Sequence, residues 1–481
     1  MKWALNDLKA NRGIWAGVFL VLVVTQTILC AMSVCKGIND LKHDSPGEVG
    51  VVSHHLSTNV DQVYHIAMVL GCLVIMVTIQ ASIRQRRKGL ALLSLLGATP
   101  RQVLTLTMVQ VFVLTLISSI VGMALAPILA PRILKFQLEA VLLPPLINFT
   151  WQGFFDFALR GLAVGFIVAL LGALFTLRAL RKVLPVELLR GSGSEEVRVT
   201  RAGRGLRRFL IIGAFIALLA PAVAAVILVL NDPKTLSKTQ LGIIMQPMSL
   251  GPIIAIMLFL VALAYSGGPI IQWSTKTWTN LVPVQSDVWK IARAQAIVRS
   301  RGKAFGSTII SLTACLFLLG GLLITGQTST AAISGFPQLK DMGSATPVEL
   351  MSSLWSALLI AVIGAVASFA ISAKERNLDL ALISIAGAVP GQLLAISALD
   401  GFILMTTGVL ISAGATLLVG VFTAVTFLPL SKSLFVVVFP WKFFLVLAVP
   451  IIAAGTLATF FSARSSLKRS AIETVQTAIG E

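Results

Sequence analysis

Charge is scarce in this chain. Only 12% of its 481 residues are Asp, Glu, Lys or Arg, about half the share a soluble domain carries. That shortage excludes both an ordinary soluble globule and a disordered, charge-extended chain. Cysteine is also sparse: four residues cannot make the framework of a small disulfide-rich protein. Cys30 and Cys35 are close enough for a bridge to be conceivable, but small apolar packing accounts for them better. The four histidines lack metal-ligand spacing. His54 and His55 are adjacent, with His43 and His65 nearby, which reads as a solvated loop, with metal or haem contact as the alternative. No G-x-x-x-x-G-K-[ST] phosphate loop is present, and no paired carboxylates sit in a catalytic context. The short alternating segments of a membrane β-barrel are missing too.

Apolar sequence takes the place of charge. The chain is 57% hydrophobic with a mean hydropathy of +0.93, and its apolar residues come in runs of about 20, the length of a membrane-crossing helix. The fold class is therefore all-α: a polytopic membrane protein with ten spans, near 13–33, 64–83, 104–130, 153–177, 209–230, 249–269, 305–326, 351–373, 395–427 and 441–462. Pro127 and Pro131 interrupt the third and are expected to end it. The ninth is long enough to tilt or to run past the bilayer.

The net charge of +19 is distributed by side. Lys and Arg cluster at 2–12, 84–101, 178–208, 276–303 and 464–469, while the alternate loops near 34–63, 131–152, 231–248, 327–350 and 428–440 carry fewer. With ten spans all the clusters share one side with both termini, and the positive-inside rule makes that side cytoplasmic. The charge reads as a topology signal in contact with anionic lipid, not as a nucleic-acid surface. Lys2, Lys9 and Arg12 precede the first apolar run, which is too long for a signal core and is read as a retained helix.

One passage occurs twice. Residues 86–104 read RRKGLALLSLLGATPRQVL and residues 376–394 read RNLDLALISIAGAVPGQLL, aligned without a gap at an offset of 290. Leu90, Leu93 and Leu96 in the first copy, and Leu380, Ile383 and Ala386 in the second, recur at helical spacing as an apolar stripe. Gly97 and Gly387 stand where a short helix would close, since glycine suits a left-handed terminal residue. Pro100 and Pro390 follow and prevent continuation. Each copy is thus a basic stem, a short helix, a sharp turn and re-entry into the membrane.

The repeat organises the chain. Residues 1–190 form one four-span half, 191–286 a Gly/Ser-rich linker with two extra spans, and 287–481 a second four-span half. Each half opens with an interfacial amphipathic stretch, MKWALNDLKANR and DVWKIARAQAIVRSRGK, anchored by Trp3 and Trp289. Both repeats begin on the same side, so the halves are expected to superpose about an axis along the membrane normal. Among intramembrane polar residues, Gln110 and Asp400 correspond at the same offset of 290. Asp156 and Arg160, four apart, are expected to pair locally.

The basic stem followed by an apolar helix closing on Gly-Ala-x-Pro resembles the FtsX-like permeases, the membrane subunits of MacB-type ABC transporters, in the ten-span form of the antimicrobial-peptide-resistance permeases. The family motif has an acidic residue before the helix. Asp379 takes that place in the second copy and Gly89 in the first. The family's polar residue in the next span falls on Gln110 and Asp400. The resemblance implies that the two elements dock two copies of a cytoplasmic ABC ATPase, through Leu90, Leu93, Leu96, Gly97 and Pro100, and through Asp379, Leu380, Ile383, Gly387 and Pro390. It implies no cofactor in this chain, ATP and Mg residing on the partner, and no enzymatic site. It also implies a multi-pass protein of a bacterial cell membrane that exports or extracts an amphipathic compound such as a peptide, lipid or haem. A non-transporting mechanotransmitter and an ion-coupled transporter are the alternatives. The first calls for a larger outer domain and the second for more mid-membrane charge.

Overall fold

A computed structural model describes residues 12–43, 48–86, 97–140, 146–180, 269–284, 286–301, 303–333, 358–367, 379–431 and 437–467, with isolated positions between them. The expected fifth and sixth spans, the 190–206 linker, Trp3, Leu90 and Leu96 lie largely or wholly outside the described residues. The protein is an all-α polytopic membrane protein, and no strand occurs among the described residues. Among the described residues, eight long helices are α1 (Arg12–Asp40), α2 (Glu48–Gln85), α3 (Pro100–Ala140), α4 (Phe154–Leu180), α5 (Asp287–Arg301), α6 (Lys303–Ile333), α7 (Pro390–Ser431) and α8 (Trp441–Ser466). Among the described residues six helical stretches are long and apolar enough to span a bilayer, in α1 to α4, α7 and α8; two shorter apolar helices, Leu316–Ala332 and Leu358–Ala367, overlap the expected seventh and eighth spans.

The chain divides into two compact units. One comprises Met1–Glu195 with Val348–Ser372, the other Glu196–Pro347 with Ala373–Glu481. Residues 348–372, which the repeat assigns to the second half, thus group with the first unit. There the Trp355 ring meets Phe136 edge-on at 6.4 Å, and Gly364 lies against Val74 so closely that no Cβ would fit.

In the first unit α1 is the central helix. Every side chain from Thr25 to Met32 is buried, as expected of a helix that is apolar all round and surrounded by others. By contrast α3 exposes Phe112, Leu116, Ile120 and Ile128 at helical spacing, a stripe suited to lipid tails. Contact between α1 and α4 runs through small residues on α4: the Cys30 thiol donates to the Ala158 carbonyl and Ser33 Oγ to the Phe157 carbonyl. At Gly161 a Cβ would stand 2.8 Å from Cys30 Cα and 2.9 Å from the Leu29 carbonyl oxygen. Small residues permit this backbone approach where lipid supplies no hydrophobic drive for helix association.

Two expectations from sequence change here. First, α3 does not end at Pro127 or Pro131 but continues to Ala140. Breaking a helix in lipid leaves several backbone groups unpaired, whereas each proline forfeits one bond. The continuation also buries Ile133, Leu134 and Leu138, and Gln137 reaches Met32 of α1. Second, the polar stretch 34–63 is mostly helix. It forms the ends of α1 and α2, joined by reciprocal bonds from Asn39 Nδ2 to the Ser53 carbonyl and from Ser53 Oγ to the Asn39 carbonyl, and by a 2.6 Å Lys36–Asp61 ion pair. Cys30 and Cys35 remain free thiols; Cys35 donates to the Ala130 carbonyl of α3, so the two point at different helices.

In the second unit α7 is central and packs against α5, α6 and α8. Ser412 Oγ donates to the Thr313 carbonyl of α6 and Ser397 Oγ to the Thr459 carbonyl of α8. A short helix over 269–281 joins α7 through Trp278 Nε1, which donates to Thr407 Oγ1 at 2.9 Å.

The α1–α4 approach makes a stability prediction. Gly161→Val should destabilise the protein by about 2–3 kcal/mol through overpacking against main chain. Gly414→Ala, with nothing within 4 Å of a new Cβ, should be neutral or slightly stabilising. Unfolding in detergent micelles measures both, and equal behaviour of the two variants would contradict the packing described.

Candidate functional site: the two repeat elements

Both repeat elements close in the same way. In the second, a short helix over 379–385 ends with the Gly387 N–H donating to the Ser384 carbonyl and the Ala388 N–H to the Ile383 carbonyl. Gly387 has φ +98°. This is the paired-bond glycine closure, in which the residue after a left-handed glycine bonds five residues back. In the first, the Ala98 N–H donates to the Leu93 carbonyl and Gly97 has φ +94°. No atom lies within 4 Å of a Cβ added at either glycine, so backbone conformation, not space, calls for glycine there.

The prolines open the next helix as well as ending the previous one. Pro100 and Pro390 are the first residues of α3 and α7, the position where a missing N–H costs nothing. In the first copy Thr99 and Gln102 form a capping box: the Thr99 N–H donates to Gln102 Oε1 at 2.8 Å, and the Gln102 N–H to Thr99 Oγ1 at 3.4 Å. The second copy keeps half of it. The Val389 N–H donates to Gln392 Oε1 at 3.2 Å, but Val389 has no acceptor to return the bond.

Of the expected apolar stripe in the second element, Leu380 and Ile383 turn inward, while Ala386 is exposed. Leu380 is buried with Leu393 and Ala463, and Ile383 and Ala388 pack on that cluster. The large apolar side chains left outside are Leu382, Ile385 and Val389, exposed by 51, 58 and 60%. Leu93 of the first element is half-buried, and Gly97 is exposed.

Gln110 and Asp400 each receive a guanidinium. Gln110 is fully buried in α3, and its Oε1 accepts from Arg86 Nη1 at 3.0 Å. The Arg86 guanidinium also lies 5.4 Å from the Trp15 ring, within cation–π range. Asp400 is 1% exposed, and its Oδ2 accepts from Arg299 Nη1. Arg299 Nη2 donates to Asp379 Oδ2 at 3.0 Å. One guanidinium on α5 thus spans a carboxylate of the repeat element and another on α7. Burial works against the Arg299 charge, yet Asp400 and Asp379 more than offset it and hold its pKa above the ordinary arginine value.

Sequence reasoning singled out neither Arg86 nor Arg299. Arg86 has a signal, since it aligns with Arg376, which lies outside the described residues. Arg299 has none, because its partners are 80 and 101 residues away. Asp156 and Arg160 do not pair as expected; the Arg160 guanidinium sits 6.0 Å from the Phe157 ring.

The first unit also carries an apolar groove of about 680 Å³ between α3 and α4, lined among others by Ile120, Met123, Pro127, Trp151, Phe155 and Leu159. It begins roughly 25 Å along α3 from the repeat element at 1.5 Å per residue.

Residues 63–185 match the family model of the FtsX-like permease C-terminal domain. This match covers α3, α4, most of α2 and the first repeat element, so this part of the chain is similar to an FtsX-like permease domain. Such domains are membrane subunits of ABC-type permeases and generally pair with cytoplasmic ABC ATPases. No curated protein matches the sequence.

The capping difference is measurable. Thr99→Ala should cost about 1 kcal/mol of stability, whereas Val389→Thr should add a few tenths to about 1 kcal/mol by completing the second box. Chemical unfolding of the two variants checks the sign of each change, and a loss on Val389→Thr would mean that the turn cannot accept the added hydroxyl.

Proposed function

We propose that this protein is the permease subunit of an ATP-driven transporter that expels or extracts an amphipathic, membrane-borne compound. Two copies of a cytoplasmic ATPase dock on the two repeat elements, in a cell membrane with both termini cytoplasmic. ATP and Mg are held by the ATPase. The single observation that supports this most is the second element. A short helix with fixed ends presents Leu382, Ile385 and Val389 to the aqueous side, and its inner face is packed on α7 and α8. A rigid element with an apolar outer face can transmit displacement to the helices beneath it. Closure of the ATPase pair would push the elements and tilt the attached spans.

An amphipathic substrate is favoured by the α3–α4 groove, which opens to lipid and offers apolar and aromatic walls. A ligand could lay its apolar part there without first dissolving in water. Entry from the bilayer also agrees with the short connections in the described regions.

The docking test follows from exposure. Ile385→Asp should insert and fold normally, because the side chain lies outside, but should weaken recovery of the ATPase at least tenfold and uncouple ATP hydrolysis from transport. Here an apolar contact is replaced by a charge that must be desolvated. Ile383→Asp should instead destabilise the element itself. Wild-type complex recovery and coupling in Ile385→Asp would remove the docking assignment. Transport is tested by accumulation of membrane-active compounds with an active or a Walker-mutant ATPase; protection that persists with the inactive ATPase would mean passive sequestration or signalling.

A further inference from the structure

The second repeat element has an anchor whose counterpart in the first differs in charge and origin. Arg299 lies on α5, Asp379 starts the element and Asp400 lies nearly three turns into α7. The guanidinium fork is divided, Nη1 to Asp400 and Nη2 to Asp379. The two carboxylates differ in their dependence on it. Asp400 is dry, and its Oδ1 accepts no hydrogen bond among the described residues, so removing Arg299 would leave a buried carboxylate without its partner, which is costly. The Asp379 side chain is 47% exposed and water can solvate it. Arg299 itself is 11% exposed and reaches Asp379 of the element through its second nitrogen. In the first half Gly89 and Gln110 occupy the positions of Asp379 and Asp400. The guanidinium there comes from the element's own stem, Arg86, and meets a neutral amide.

We infer that Arg299 is a positioning residue that clamps the second repeat element to α5 and α7, so that a push on this element moves three segments as one body. The clamp has a permanent half and a releasable half. The Arg299–Asp400 pair is neutral and stays made. The Asp379 arm is wet and can open without leaving a buried charge unpaired. Geometry also makes arginine specific here. A lysine is a point charge, and at this position it would stay with the dry Asp400 and let Asp379 go. Transmission of ATPase movement through the clamp rests on the permease reading above, but the clamp itself does not.

Hydrogen–deuterium exchange on the purified full chain, without ATPase or nucleotide, tests the clamp independently of transport. Asp379→Asn and Arg299→Lys both keep Asp400 neutralised, and both should speed amide exchange over 379–388 by about three- to tenfold, leaving 89–98 and the middle of α7 unchanged. The double variant should exchange no faster than either single one, because both remove the same bond. The neutral pair Arg299→Gln with Asp400→Asn should loosen 379–388 to the same extent and retain the fold. Exchange over 379–388 that stays at the wild-type rate, rises equally over 89–98, or increases additively in the double variant would overturn the inference. If the exchange result holds and the chain binds no ATPase, the permease reading fails and the clamp stands.

Discussion

The arrangement at the second repeat element depends on one buried carboxylate. Asp400 lies inside α7 at 1% exposure, and an isolated charge in such surroundings costs several kcal/mol after relaxation. The protein brings a guanidinium to it from α5, 101 residues earlier in the chain. That requirement draws the amphipathic helix onto the start of α7 and sets the distance at which Asp379 can join. The first unit meets a milder form of the same need. A buried amide must be hydrogen-bonded but not neutralised, and Arg86 from the adjoining stem suffices for Gln110.

Packing elsewhere follows from the apolar solvent. With lipid on the outside, hydrophobicity does not distinguish the inside of a helix bundle from its surface. The central helices are told apart by small residues and short side-chain bonds. Gly161 lets α4 reach the backbone of α1, and Ser397 and Ser412 tie α7 to α8 and α6. The same solvent carries α3 through two prolines, since an intact helix with a lost bond is cheaper in hydrocarbon than an open end. In each unit a long central helix is thereby held by neighbours, with the repeat element at one end of the bundle.

The repeat elements directly precede α3 and α7 in the chain. Their closing glycines, opening prolines and glutamine caps are local devices, each satisfied within a few residues, so both copies adopt the same turn despite their different surroundings. What differs is the tie to the rest of the fold: an amide in one and a pair of carboxylates in the other. A duplicated sequence therefore closes on the same turn at Gly97 and Gly387, while the guanidinium contacts around Gln110 and Asp400 differ.

The class of the protein, the places of most spans, the repeat and the turn at Gly97 and Gly387 were legible in the sequence, because each rests on composition or on bonds between near neighbours. The span that passes Pro127 and Pro131, the helical character of 34–63 and the inward face of Leu380 and Ile383 were not. Helical spacing identifies an apolar stripe, but it cannot say whether protein or a partner covers it, and only Leu393 and Ala463 decide that. The Arg299 bridge was wholly a product of tertiary structure. Nothing local distinguishes Arg299 from the other basic residues of α5, and its role arises only where the chain returns with Asp379 and Asp400, because a buried charge is neutralised by whatever lies beside it in space.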